Sequence, residues 1–331
     1  MKVAKQIISL LLKAGISAAL LWYLFRQIDK KRLFEIISHA DKRLLFIAFC
    51  VFIIPYISAL FRWKMLLDAI KIRLPLKRII AAFSGGIFFN QILPSSIGGD
   101  LMRSIDLASH TRRTREVVAT VFLDRLSGYI GLVVMALASL AYGWSLINNK
   151  KVLFPVAIIT GLLVAILMVL FNASVYKKIH SLLRSPGAGR IREAITNLHH
   201  EIHVFRDKKA VIIKNISLSL LLQIFSCFSF YIIARSVGVN ISINYFFVFL
   251  PIMGAITMLP ISIGGLGLRE NTAAYLFPLI GVNKDIAVAM SLLNFFFIVI
   301  YAIIGGLIYY VLTVHHRRLQ PDKTPASGSR S

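Results

Sequence analysis

The sequence predicts an all-α polytopic membrane helix bundle, with about six full spans plus two re-entrant or broken helices in a pseudo-inverted repeat. Three observations lead to this fold class. Of the 331 residues, 57% are hydrophobic and only 16% are charged, whereas a soluble domain carries about a quarter charged residues. The apolar residues come in long blocks, and one short string of residues occurs twice in the chain.

Six apolar blocks are near or above the roughly 20 residues that a helix needs to cross a hydrocarbon core about 30 Å thick. A helix satisfies its own backbone polar groups without water, so each block is predicted to span as a helix. Lys2 and Lys5 precede the first block as in a secretory signal, but Lys13 interrupts it. We therefore interpret the first block as a retained span. The blocks are residues 7–25, 44–60, 117–142, 152–171, 211–233 and 286–312.

The formal charge of +24 is carried mainly by segments between the predicted spans, where basic residues set topology and touch anionic lipid headgroups. If the N-terminus is cytoplasmic, most of these segments lie inside. This predicts a multi-pass protein of the cell inner membrane with both termini in the cytoplasm. Segment 26–43 conflicts with the prediction, because it falls outside and yet is rich in Lys and Arg. The basic loops match no nucleic-acid-binding module, so no nucleic-acid partner is expected.

The chain is predicted to form one transmembrane domain over residues 1–318, with half-repeats at about 44–142 and 211–312. Residues 176–209 are predicted to form a cytoplasmic amphipathic connector, because apolar residues recur there at helical spacing. Residues 319–331 are polar and contain Pro, Gly and Ser, which predicts a disordered tail.

The repeated string reads L-P-x-S-I-G-G-x-x-x-R, at residues 93–103 and again at residues 259–269. Proline removes a backbone donor and disfavours helix in the residue before it, while paired glycines permit conformations closed to other residues. Each string follows an apolar stretch too short to span comfortably, so each is interpreted as a re-entrant hairpin or a discontinuous helix. The residues assigned to these breaks are Pro94, Gly98, Gly99, Pro260, Gly264, Gly265 and Gly267.

Three predicted spans separate the two strings, which reverses the side from which each enters the membrane. Two broken helices in inverted halves are typical of a transporter with a binding site near the midplane. The alternative is that the glycines are only packing devices, because small residues let helices approach closely.

Ionisable side chains inside spans are costly unless they are paired or wet, so they are candidate functional groups. Arg103 and Arg269 occupy equivalent positions in the two strings, and a guanidinium group suits a phosphate or a carboxylate. Asp100 lies one helical turn from Arg103, and Glu270 follows Arg269. The alternative is that each arginine only forms a structural ion pair with its acid.

Asp124 and Arg125 lie within the third span and are assigned a structural role. Asp124 shares a helix face with Gly128 and Gly131, which indicates close contact with another helix.

Neither a catalytic set nor a metal site can be assembled from the sequence, and no cofactor is expected. Cys50 and Cys227 lie inside apolar blocks, so neither a disulfide nor a thiol metal site is predicted. His199, His200 and His203 put two imidazoles one turn apart, but with no third ligand and no Glu in the H-E-x-x-H position a zinc site is not predicted.

At these motifs the chain resembles the transmembrane region of lysylphosphatidylglycerol synthase, a flippase-like family also described as UPF0104-type membrane proteins. The resemblance covers roughly residues 5–315, and Arg62-Trp63 looks similar too. In the bifunctional members this region is held to move an aminoacylated phospholipid between leaflets, and a separate aminoacyltransferase domain makes that lipid. Only a short segment follows Val314, so lysyl transfer is not expected here. The matching residues are Asn90, Leu93-Pro94, Gly98-Gly99-Asp100, Arg103, Asp124-Arg125, Leu259-Pro260 and Gly264-Gly265-Leu266-Gly267-Leu268-Arg269-Glu270.

Together, the resemblance and the repeat predict a lipid translocase-like protein that handles an anionic phospholipid or a polyprenyl or glycolipid headgroup. Two alternatives stay open: a membrane-embedded transferase acting on a lipid carrier, with Asp100 or Glu270 as base or metal ligand, and a non-catalytic subunit of an envelope-synthesis complex. Membrane lipids are the expected partners, and a homo-oligomer or an envelope-biosynthesis partner is also considered. The candidate headgroup-binding residues are Arg103, Arg269, Asp100, Glu270, Asn90, Ser96 and Ser262.

Overall fold

The computed structural model describes residues 2–92, 98–111, 113–143, 150–171, 196, 205, 208–258 and 261–315, and within these ranges it is helical with no strand. The predicted all-α fold class is confirmed. The helices are α1 (Lys2–Arg26), α2 (Lys30–Ser38), α3 (Lys42–Ala69), α4 (Leu76–Ile92), α5 (Gly98–Thr111), α6 (Thr114–Tyr142), α7 (Lys150–Phe171), α8 (Lys209–Ser236), α9 (Ile243–Thr257), α10 (Leu268–Leu276) and α11 (Lys284–Tyr309).

Four helices in the described part of the chain are long and apolar enough to cross a membrane: Lys42–Ala69, Thr114–Tyr142, Lys209–Ser236 and Lys284–Thr313. They coincide with four of the six predicted spans. The other two predicted spans fall on α1 and α7, which have 25 and 22 residues. At about 1.5 Å per residue these helices also exceed 30 Å in length, although their full crossing stays a prediction.

Aspartate residues cap the N-termini of α2 and α3. The Asp29 side chain accepts the amide of Lys31 at 2.9 Å, and the Asp41 side chain accepts the amide of Arg43 at 2.8 Å. These bonds satisfy first-turn amides of α2 and α3 that lack an intrahelical partner. The acids of this basic segment therefore act as helix N-caps.

The segment around α2 lies beside the loops that the charge pattern predicts to be outside. The amide of Asp41 donates to the Ser236 carbonyl at the end of α8, and Arg32 lies 4.0 Å from Asp285 at the start of α11. The basic residues of this segment thus occupy the same end of the bundle as the weakly charged loops. The charge conflict persists in the fold, and the orientation in the membrane stays a prediction.

Two hairpins of short helices each pack against both halves of the bundle. The helix pairs α4–α5 and α9–α10 each form a hairpin, and α3 packs along α8 in the centre. In the first hairpin, α5 contacts α6 and α4 contacts α11. In the second, α10 contacts α11 and α9 contacts α6. The two hairpins thus make corresponding contacts, and the half-repeats stay a prediction.

Glycines allow the closest helix crossings. A Cβ atom added to Gly99 would lie 1.9 Å from the carbonyl oxygen of Gly86, where α5 crosses α4. One added to Gly131 would lie 2.9 Å from the Cβ of Ser219, where α6 crosses α8. The predicted close contact of the Gly131 face with another helix is present in the fold. At Gly99, the repeated string also serves packing.

Candidate functional site

Five charged side chains from α3, α5 and α6 form one alternating ion network. The Asp124 carboxylate accepts Nε of Arg62 at 2.8 Å and Nη2 of Arg103 at 3.2 Å. The Asp100 carboxylate lies 3.1 Å from Nε of Arg103 and accepts two hydrogen bonds from Arg125, at 2.6 and 3.0 Å. Asp100 and Arg103 thus form the pair expected from their spacing, and that pair is the middle of a longer network.

The second half of the chain holds this network in place through α8. Nη1 of Arg62 donates to the hydroxyl of Ser219, and the Asn215 side chain donates to the Arg62 carbonyl at 3.2 Å. The Arg103 guanidinium lies 4.9 Å from the ring of Trp63, close enough for a cation–π contact. Removal of one member would leave its partners charged and desolvated.

The network carries one net positive charge, because three guanidinium groups face two carboxylates. Arg62, Arg103 and Asp124 are 6%, 4% and 3% exposed, and such burial is tolerable only when charges are paired and hydrogen-bonded. The Arg125 side chain is 41% exposed. Arg125 is therefore the member of the network through which the net charge is accessible.

A cavity of about 740 Å³ opens against the network. Both repeated segments contribute to its wall, the first through Asp100 and Arg103 and the second through Ile263 and Gly264. Asp124 is ten residues from the start of α6, about 15 Å along the helix axis. That length is about half the thickness of a hydrocarbon core. Further polar and aromatic lining residues are Tyr56, Arg62, Phe83, Phe88, Asn90, Gln91, Asp124, Arg125, Tyr129, Gln223, Phe295 and Tyr301.

The two equivalent strings adopt different local structures. Gly98 and Gly99 already belong to α5, whereas the glycines at 264, 265 and 267 have φ values of +58°, +78° and +79°. The second helix therefore begins later, at Leu268. Arg103 lies in the second turn of α5, while Arg269 is the second residue of α10. The predicted equivalence of the two arginines holds in sequence but not in their surroundings.

Arg269 lies one side chain away from the cavity. Its Nε is 3.2 Å from the Glu270 carboxylate, and its guanidinium is 5.1 Å from the ring of Phe295, which lines the cavity. Arg269 thus approaches the cavity from behind an aromatic ring.

Glu270 is fully buried and serves the local fold. Its second carboxylate oxygen accepts the amide of Gly267 at 2.7 Å, which is the reciprocal half of a capping box at the start of α10. Ser262 is 8% exposed, and its hydroxyl has no hydrogen-bond partner within the described ranges. Asn90 lines the cavity, while its side-chain oxygen accepts the amide of Gly99 at 2.9 Å.

Several predicted features lie outside the described residues: Pro94, Ser96, Pro260, most of the connector 176–209 and the tail 319–331. Among the residues that the structure does describe, no group of three or more His, Cys, Asp or Glu side chains is placed to hold a metal ion.

Sequence reasoning missed Arg62 as a member of the site. It ended the second span at residue 60 and placed Arg62 in a loop, whereas α3 continues to Ala69 and buries that arginine. The available signal was the apolar pattern after Arg62, since Leu66 and Leu67 follow one turn later and are buried in the core. Tyr56 and Tyr301 had no comparable signal within their apolar blocks.

The first helix clamps the second repeated segment. The Ser17 hydroxyl accepts the amide of Ile263 at 2.9 Å, and the Leu20 carbonyl accepts the Asn271 side chain at 3.1 Å. A Cβ atom on Gly267 would lie 2.7 Å from the Cβ of Leu20. Helix α1 therefore fixes the loop that precedes α10.

Gly267→Ala is expected to destabilise the protein more than Gly281→Ala. Both glycines have φ near +80°, which costs an alanine about 1–2 kcal/mol at the left-handed Gly281 and no less at Gly267, whose ψ of −39° lies outside the left-handed region. Only Gly267 is also crowded, and overpacking adds about 1–3 kcal/mol, whereas nothing lies within 4 Å of an added Cβ at Gly281. Equilibrium unfolding by SDS in mixed micelles measures the difference. Equal losses would contradict the contact between α1 and the loop.

Comparison with known proteins agrees with this architecture. The family model described as lysylphosphatidylglycerol synthase TM region matches residues 10–306. A UPF0104 membrane protein of Pyrococcus horikoshii is 25% identical over 313 residues, which cover 86% of this chain and 91% of that protein. The resemblance stated from the motifs is confirmed, and so is a membrane location. The chain belongs to the lysylphosphatidylglycerol synthase TM region family of membrane proteins.

Proposed function

We propose that the protein moves an anionic lipid headgroup between the leaflets of the cell inner membrane. The observation that carries this proposal is the cavity whose wall joins both repeated segments to a network with one net positive charge. A buried cation at membrane depth is costly, so its presence indicates a substrate or ion pathway. A lipid phosphate, or the phosphate of a polyprenyl or glycolipid carrier, complements this charge.

Arg125 is the group assigned to the headgroup. Two of its nitrogens bind Asp100, which fixes the guanidinium plane, while the exposed part of the side chain faces the cavity. Tyr56, Tyr301 and Gln223 also line the cavity and offer hydrogen-bonding groups to the phosphate or to hydroxyls of the headgroup. In this proposal Arg103 orients Asp100 and Asp124. Arg269, which lies behind Phe295, makes the electrostatic potential of the cavity more positive.

The exchanged hairpins provide a route to alternating access. Each hairpin contacts spans from both halves, so a rocking of one half against the other changes the shape of the cavity between them. The lipid tail stays in the bilayer during this motion, while the headgroup passes through the cavity. No chemical step is part of the proposal.

Arg125→Gln is expected to slow transfer of fluorescent phosphatidylglycerol by about tenfold or more, because one charge-assisted hydrogen bond contributes about 1.5–3 kcal/mol. The full chain is reconstituted into vesicles, and transfer is measured by the fraction of labelled lipid that dithionite quenches. Arg73→Gln is the matched control, because Arg73 is an exposed arginine outside the cavity wall.

Three results would contradict the proposal: wild-type vesicles that behave like protein-free vesicles, equal rates for Arg125→Gln and wild type, or equal slowing by both variants. Formation of a new lipid product that depends on a divalent metal ion would instead favour the transferase alternative.

A further inference from the structure

A second cavity, of about 630 Å³, lies between α2, the start of α3 and α11. We call it the outer groove, and it is separate from the headgroup cavity. Its walls are apolar, with Leu45 and Phe49 on one side and Leu292 and Phe296 on the other. At one end the wall includes the ammonium-bearing side chain of Lys42. The outer groove is therefore an apolar channel that has the lysine Lys42 at one end.

The outer groove and the headgroup cavity lie end to end along the same two helices. Lys42, Leu45 and Phe49 repeat at helical spacing on α3, and Tyr56 continues that face into the headgroup cavity. Fourteen residues separate Lys42 from Tyr56, about 21 Å along the helix. That length exceeds the roughly 15 Å of hydrocarbon in one leaflet.

Five aromatic side chains, named here the aromatic seam, separate the two spaces: Phe49, Phe52, Tyr56, Phe297 and Tyr301. Phe49 and Phe297 line the outer groove, with ring centroids 5.2 Å apart. Tyr56 and Tyr301 line the headgroup cavity, 4.3 Å apart. Phe52 lies between them, 5.7 Å from Phe297 and 5.1 Å from Tyr56. The pairing order shows that α3 and α11 run parallel here.

We propose that the outer groove binds one acyl chain of an anionic phospholipid whose phosphate pairs with Lys42, and that the aromatic seam separates this lipid from the headgroup cavity. The apolar wall matches a hydrocarbon chain, and the cation at its end complements a phosphate at the membrane interface. The link to the headgroup cavity rests on the proposed transport function, whereas the lipid site itself does not.

The aromatic seam can open without unfolding either helix. It consists of side chains, and rotation of rings leaves the backbone hydrogen bonds of α3 and α11 intact. The lipid would then pass laterally between α3 and α11. A seam of rings gives a closed resting state, because stacked and edge-to-face pairs at these distances attract one another.

Photolabelling tests the site in vesicles that contain the full chain. The probe is phosphatidylglycerol with a diazirine near the end of one acyl chain, and phosphatidylcholine with the same chain is the zwitterionic control. Labelled peptides are located by mass spectrometry. Label on residues 42–49 and 292–300 is expected to exceed label on Phe154 and Leu162 by about fivefold, although these α7 side chains are 68% and 61% exposed.

One variant tests the role of Lys42, and another tests the role of the aromatic seam. Lys42→Gln is expected to lower phosphatidylglycerol labelling of the groove about fivefold, to the phosphatidylcholine level, since one interfacial lysine contributes about that factor. Lys31→Gln, an exposed lysine of α2 outside the groove, should leave it unchanged. Phe52→Ala should extend the label to peptides that contain Tyr56 and Tyr301.

Uniform labelling of all exposed faces, or equal labelling in Lys42→Gln and wild type, would overturn the site. No spread of label in Phe52→Ala would overturn the role of the seam. Transport is measured separately, so the two proposals can fail independently. Groove labelling without lipid transfer would support the lipid site and reject transport. Lipid transfer without groove labelling would support transport and reject the lipid site.

Discussion

Asp124→Ala is expected to lower the free energy of unfolding by about 3–5 kcal/mol, the usual cost of removing one partner from a buried ion pair. Asp124 is 3% exposed and is the shared carboxylate of two buried guanidinium groups, those of Arg62 and Arg103. Its loss leaves both charges without that partner and turns the local charge from one to two positive units. The measurement is equilibrium unfolding by SDS in mixed micelles.

The matched control is Asp68→Ala, which removes an aspartate from the same bundle. Asp68 pairs with Lys64 one turn away on α3, but its side chain is 43% exposed, and such surface pairs contribute about 0–1 kcal/mol. A similar loss in both variants would show that the network around Asp124 is not the main source of the effect. Asp124→Asn keeps the volume, so a comparable loss there would assign the effect to charge.

Gly99→Ala is expected to displace the first hairpin and to cost several kcal/mol. The added methyl group would lie 1.9 Å from the carbonyl oxygen of Gly86 and 2.6 Å from the side chain of Asn90. Backbone cannot give way as a flexible side chain does, so α5 must move away from α4. Asp100 follows directly in the chain, and its position against Arg125 would shift with the helix.

Gly161→Ala is the control for this substitution. Gly161 lies within α7, and nothing is found within 4 Å of an added Cβ. Because alanine favours helix over glycine by about 1 kcal/mol, this variant should be neutral or slightly more stable. The two are compared by unfolding in mixed micelles and by the yield of monodisperse protein. Equal yields and equal stability would mean that the α4–α5 crossing is looser than the structure shows.

The architecture followed from the sequence because its signals are long and local. Apolar blocks of span length fix the positions of α6, α8 and α11 within a few residues, whereas α3 continues to Ala69, beyond its block. The break before α10 followed from the same logic, since Gly264 and Gly265 adopt conformations that other residues disfavour. Helix-capping side chains such as Asp41 can also be identified in a sequence, because Asp favours the N-cap position and Asp41 directly precedes α3.

The site could be predicted only in part, because its geometry depends on contacts far apart in the chain. Asp100 and Arg103 were identified from their position next to a helix break. The sequence could not show that Arg125 reaches across to Asp100, or that Arg62 is held by Ser219, 157 positions away. It also treated Arg269 as equivalent to Arg103, since a string match carries no information on where the following helix begins.

The exchanged packing of the hairpins bears on how this protein is made. Helix α4 contacts α5 at once, but it gains its second main neighbour only when α11, the last of the helices named here, has left the ribosome. Until then the face of α4 that later packs against α11 is exposed to lipid or to the translocon. The second hairpin, in contrast, meets α6 as soon as it is inserted. Biogenesis is therefore asymmetric even though the same string occurs in both parts of the chain, and a gene split between them would need both products in the same membrane at the same time.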